Sequence, residues 1–162
     1  MSEISTTEEK LAEVTGLAQA AQGAIDKVAP MIDDGELSTS LKRMKREAEE
    51  TEERCVKLID QRDGRKTAIL DKARETKQEA TDMMDTYLGA DSDGLDGLEF
   101  MTMAEAGEVG HWEILAQLSK KGNEAELVEL AEWAIPIQER HLSEVRSGSL
   151  TLASNQDPHE TS

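Results

Sequence analysis

The sequence predicts an all-α protein, an up-and-down bundle of four to five long antiparallel helices. Three observations carry that prediction. Apolar residues recur at three- and four-residue spacing through five successive segments, the period of a helix face. Aromatic residues make up only 2% of the chain, so Leu, Ile, Val, Ala and seven Met must form the core; sheets draw instead on β-branched and aromatic residues. Only three prolines occur in 162 residues, which permits long uninterrupted helices in a chain of single-domain size.

The first helix is expected from about Thr7 to Met31, with Leu11, Val14, Ala18, Ala21, Ile25 and Val28 inward. Pro30 and the Asp33-Asp34-Gly35 turn end it. The second runs from about Glu36 to Gln61, with Leu37, Leu41, Met44, Ala48, Cys55 and Ile59 inward, and Asp63-Gly64 breaks the chain after it. The third covers about Arg65 to Leu88 and aligns Ile69, Ala73, Thr76, Ala80, Met83 and Tyr87. A Gly- and Asp-rich loop leads to the fourth, from about Leu95 to Lys121. Gly122-Asn123 turns the chain into the fifth, from about Glu124 to Arg146. Short turns between long amphipathic helices make neighbours antiparallel. The domain plan is thus a flexible N-terminus over 1–6, a helical bundle over 7–146 and a disordered polar tail over 147–162.

Charge narrows the function. Eighteen Lys and Arg stand against 35 Asp and Glu, a net charge of −17. Such a chain repels nucleic-acid phosphates and anionic membrane surfaces, so neither is expected as a partner. The acidity reads first as a well-solvated surface; it also attracts cations, and divalent metal ions are the expected partners. A single cysteine, Cys55, excludes an internal disulfide and a cysteine zinc site. On its core stripe it reads as a small buried hydrophobe. No apolar run reaches the ~20 residues that span a bilayer, and Met1-Ser2-Glu3-Ile4 lacks the parts of a signal peptide. The expected location is the cytoplasm.

Polar residues on core faces are the informative exceptions. On a wheel of ~100° per residue, Glu108 falls at the centre of the fourth helix's apolar face, with Glu105 and His111 flanking it. Glu108 and His111 form a Glu-x-x-His pair whose side chains can meet at one point. The fifth helix repeats the pattern with Gln138 and His141 inside its apolar face. A buried carboxylate is costly without a partner. In di-iron and di-manganese bundles that partner is a metal pair held by two Glu-x-x-His motifs and two further Glu. The other helices complete such a set poorly. Glu47 and Glu52 lie at opposite edges of the second stripe, Glu79 is the acid nearest the third, and the first helix offers only Gln22.

Other signals are structural. Asp91-Ser92-Asp93-Gly94 lacks the later ligands of a calcium loop, because Leu95 and Thr102 stand where ligands are needed. Its acids are expected to cap the fourth helix. Pro136 predicts an unpaired carbonyl and a bend beside Gln138 and His141. Gly107 and Gly110 flank the central pair and are expected to admit a close helix or a ligand. His159 belongs to the exposed tail.

The stretch Val109-Gly110-His111-Trp112-Glu113-Ile114 resembles the ferritin-like superfamily, and within it the YciE/YciF family of bacterial stress-associated proteins. The turn Gly122-Asn123-Glu124-Ala125, the Glu50-Thr51 pair and Gln138-Glu139 are similar to that family's later motifs. The resemblance spans the five helices in order and implies a ferritin-like bundle that holds iron or manganese in a dinuclear site. On the positions that match, Glu105, Glu108, His111, His141, Gln138 and Glu50 become the metal-ligand set, with Glu47, Glu52 and Glu79 as further candidates. The chain departs from the pattern where Gln22, Gly110 and Gln138 replace acids, which weakens a cation site.

Two functions follow as expectations. One is a metal-binding protein in stress protection, with metal-based oxidation or peroxide handling as its chemistry. The other is a non-enzymatic bundle whose site has become a hydrogen-bonded core, serving a structural or interaction role. Ferritin-like bundles often pair side by side, so a homodimer is expected.

Overall fold

The computed structural model describes residues 3–161. Five helices carry the described residues: α1 (Thr6–Val28), α2 (Gly35–Ile59), α3 (Lys66–Tyr87), α4 (Gly94–Lys121) and α5 (Ala125–Ser154), with a 3₁₀ turn over Ala29–Met31. No strand occurs among the described residues. No helix among them is long and apolar enough to cross a membrane.

The helix starts follow local chemistry. The Ser5 side chain accepts from Glu8 N–H while Glu8 reaches back to Ser5 N–H, a reciprocal cap on α1. Asp34 caps α2. Asp93 and Asp96 make a second reciprocal cap on α4, the role expected for the acids of that loop. Gly64, at φ 79°, supplies the left-handed residue in the turn between α2 and α3.

Two boundaries differ from expectation. Ser5 is fixed by its cap and Ile4 packs against the core, so the N-terminal segment expected to be flexible is anchored from Ile4 onward; Met1 and Ser2 lie outside the described residues. At the other end α5 continues to Ser154 instead of stopping near Arg146. Gly148 there is buried under Leu37 and Leu98, and Leu152 packs on the same core. Burying those contacts extends a segment whose polar composition reads as tail. Beyond Ser154 the described residues are exposed.

Helices α1, α2, α5 and α4 close a ring of packing contacts, α1 against α2, α2 against α5, α5 against α4 and α4 against α1. Helix α3 lies chiefly on α1, outside the ring. Met83 and Tyr87, expected inward, are exposed, because the far half of α3 turns Met84 and Leu88 into the core instead.

The core falls into two apolar halves. One holds Leu11, Val14, Cys55, Ile59, Ile69, Trp112, Leu115 and Leu127. The other holds Ile25, Val28, Leu41, Met44, Leu98, Met101 and Val145. Along α2, α4 and α5 the positions between the halves are polar: Glu47 and Thr51, Glu105 and Glu108, Gln138 and His141. Close helix approach occurs at Gly16, Gly94, Gly97 and Gly148. Gly107 and Gly110 have open space where a Cβ would stand, so the close helix expected there is absent.

Candidate functional site

Four of the expected residues meet in the polar band between the two half-cores. Glu105 is 2% exposed, Glu108 4%, Gln138 1% and His141 2%. They arrive in pairs because residues three apart on a helix share a face. With the nitrogen of its amide facing the acids, Gln138 donates to Glu108 Oε2 at 3.0 Å and to Glu105 Oε2 at 3.0 Å. One amide therefore bridges the two carboxyls.

His141 closes the cluster from α5. Its Nε2 lies 3.0 Å from Glu47 Oε1, and its Nδ1 faces Glu105 Oε2 at 3.9 Å. Burial pushes the His141 pKa below its ordinary value, and the opposing pull of the Glu47 carboxylate does not overcome it. The ring is thus neutral, donates from Nε2 to Glu47, and leaves an Nδ1 lone pair toward Glu105. Burial also works against charge on Glu47, yet hydrogen bonds from Arg140 and His141 hold its pKa below the usual range. Arg43 bonds Glu144 beside it, so this side of the site is fixed by charged groups.

The two acids behave oppositely to Glu47. Burial raises Glu105 to about 8. Burial, then the neighbouring Glu105, raises Glu108 well above its ordinary value. At neutral pH the pair is protonated, the state expected of carboxyls with no cation beside them.

The remaining candidates stand elsewhere. His111 turns away: its Nδ1 donates to Gly107 O at 2.8 Å and its Nε2 lies 3.7 Å from Glu13 Oε2, with the side chain 40% exposed. Glu13 was not anticipated, since nothing in the periodicity of α1 marks it as a partner for α4. Glu50 is half-exposed and paired with Arg54 on its own helix. Gln22 and Gln19 both donate to Glu52, at 2.8 and 3.1 Å. Glu79 is exposed at the rim of a cleft. Cys55 is fully buried and its thiol is pushed up to about 12, so it is inert as expected.

That cleft has a volume of about 290 Å³ and opens between α1, α3 and α4, with Glu105 and Glu108 among its lining. It exists because α3 leans on α1 and leaves one flank of α4 uncovered.

Among the described residues no three His, Cys, Asp or Glu side chains stand together as a metal-holding group. The Gln138 amide is the one group within hydrogen-bond distance of both acids. Turned over, that amide would place its oxygen 3.0 Å from one oxygen of each acid. Octahedral cations with bonds of ~2.1 Å have neighbouring ligand oxygens about 3.0 Å apart. His141 Nδ1 stands beside this group, 3.9 Å from Glu105 Oε2, and Glu47 holds the ring through its Nε2. Comparison with protein-family models, with curated proteins and with solved structures finds no match to this chain.

Proposed function

We infer that the chain is a ferritin-like antiparallel bundle that binds one divalent cation, iron or manganese, through Glu105, Glu108, Gln138 and His141. The observation that carries this reading is the Gln138 amide, 3.0 Å from an oxygen of each buried acid. Without a cation the amide nitrogen and the acid protons hold the cluster together. Uptake would rotate the amide by half a turn and release the protons, so affinity should rise with pH. The stress-protective role rests on the family resemblance alone. A second reading has its own support: with the nitrogen inward, Gln138 satisfies one oxygen of each acid without an ion. The bundle is then a structural or interaction protein with a hydrogen-bonded core.

Thermal melts separate the two. Manganese or iron(II) at a hundred times its dissociation constant adds about 2.7 kcal/mol of stability, a rise of roughly 5–10 °C for a chain of this size. Glu108→Gln should abolish that rise and leave the chelated protein folded. A wild-type melting temperature unmoved by either metal refutes the cation reading and leaves the hydrogen-bonded core.

A further inference from the structure

The cleft between α1, α3 and α4 is an apolar groove open to solvent. Leu17 and Ala21 from α1, Ala80 and Met83 from α3, and Phe100 and Met103 from α4 line its sides. Met83 is 54% exposed and Met103 43%. Tyr87, 59% exposed, extends the apolar surface beside Phe100, with 6.1 Å between ring centres. Large apolar side chains left together in water mark a surface that another molecule covers. On α4 the lining runs from Phe100 to His111, about 16 Å at the rise of a helix. A volume of about 290 Å³ admits several side chains but not a whole helix.

The charge around the groove has one sign. From Gln78 to Ser119, the second half of α3 and nearly all of α4, the sequence holds no Lys or Arg. Glu79, Asp82, Asp96, Glu99 and Glu113 are exposed in that stretch. Glu79 stands at the groove itself, and among the described residues no Lys or Arg lines it. Cations of the neighbouring segments are engaged elsewhere. Lys27 reaches Asp85 at 3.4 Å, and Arg74 and Lys77 line a separate cleft with Glu52. A second copy of this chain is a poor occupant, because pairing would bring the acids of two such faces together. Apolar walls among acids are complementary to an apolar stripe flanked by cations.

We propose that this groove docks a basic amphipathic helix of a partner protein. Apolar side chains at i, i+4 and i+7 of that helix enter between α3 and α4, a span of about 10 Å that fits the length of the groove. Its Lys and Arg side chains face the exposed acids of both helices. The flexible thioethers of Met83 and Met103 adapt to the shapes of the anchors. Burial of the stripe supplies the affinity, and charge supplies fast association and the choice of partner. Docking uses the walls and the exposed acids alone, so it does not depend on the cation reading.

The test titrates the full chain, in chelator, into labelled peptides of about five helical turns, followed by fluorescence anisotropy. One peptide carries a Leu stripe with Lys on its other face. A second has the same composition in scrambled order, and a third keeps the stripe with Glu in place of Lys. The striped Lys peptide should bind at least about tenfold more tightly than the scrambled one, the margin of one buried Leu. Its affinity should fall as salt rises, and the Glu peptide should not bind. Met83→Glu and Met103→Glu, at exposed positions on two helices, should each weaken the striped Lys peptide about tenfold. Mere attraction to the acidic surface predicts the opposite sign, because each variant adds a negative charge. Circular dichroism checks that both variants fold, and either one serves. Equal binding of the striped and scrambled Lys peptides overturns the proposal. So does equal binding of the Glu peptide, undiminished binding in a folded variant, or no anisotropy change at high micromolar protein. A wild-type dimer dissolved by Met83→Glu assigns the groove to a second copy and overturns it as well.

Discussion

Gly16 sets the distance between α1 and α3, and its replacement offers a sharp test of the packing. A Cβ at this position would stand 2.3 Å from Ala73 O, 2.9 Å from Thr76 Cβ and 3.0 Å from Lys77 N. Two of those atoms are backbone, so no rotamer change relieves the overlap. Ordinary contact begins near 3.4 Å, so α3 must withdraw by about 1 Å. Overpacking of this kind costs ~1–3 kcal/mol, against a gain of ~1 kcal/mol for Ala over Gly within a helix. Gly23, on the same helix, has nothing within 4 Å of its Cβ position. Gly23→Ala should therefore show the gain alone and Gly16→Ala the gain less the clash. The two variants should differ by ~1–3 kcal/mol, or about 3–10 °C in melting temperature. Urea and thermal unfolding followed by circular dichroism measure both. The displaced helix carries Thr76 and Ala80 of the cleft wall, so the same variant probes the site. A Gly16→Ala protein as stable as Gly23→Ala would refute the close approach.

Two pH-linked predictions follow from buried acids of opposite behaviour. Glu8, 2% exposed, receives bonds from Arg65 at 2.7 Å and Arg62 at 3.3 Å, and these outweigh burial to hold its pKa low. Glu8→Gln should cost ~1–3 kcal/mol near neutrality. Because the folded pKa is depressed, the gap between wild type and variant should close as the pH falls below 4.5 and through the lower folded value. A gap unchanged at low pH would show that the ion pair is not its source. Glu105 has the opposite sign: its folded carboxyl keeps a proton up to about 8 and its unfolded one up to 4.5. Glu108 is raised in the same direction, so in chelator stability should be complete below 4.5 and decline as the pH rises through about 8. Glu105→Gln should make that decline shallower in pH-dependent urea melts and the double variant with Glu108→Gln should remove it; a wild-type profile flat over the same range would refute the buried protonated acids.

Helix number, helix faces and the polar exceptions were legible in the sequence because they depend on local order. A period near 3.6 marks a buried stripe whatever it packs against, and Glu105, Glu108, Gln138 and His141 stand out on such stripes without knowledge of the neighbours. The cap at Asp93 is equally local. Rotamer and partner are not. His111 shares the i, i+3 relation with Glu108, yet its ring bonds Gly107 and turns to Glu13. That choice depends on which helix lies alongside, and spacing within α4 holds no record of α1. Glu47 illustrates the converse. It lies at the edge of its stripe, and only the contact of α2 with α5 makes it the carboxylate that holds His141.

The sequence by itself determined that this chain forms five amphipathic helices and sinks two acids, an amide and an imidazole into their faces. Only the tertiary structure decided that those four groups meet while His111 and Glu50 do not. It alone decided that α3 leans on α1 and opens a cleft over the acids. It also carried α5 through Gly148 to Ser154, where Leu37 and Leu98 cover a segment of polar composition. The physical reason is the same in each case. Periodicity reports how far a residue turns about its own helix axis, whereas meeting, shielding and extension depend on which other axis stands beside it and how closely its backbone can approach.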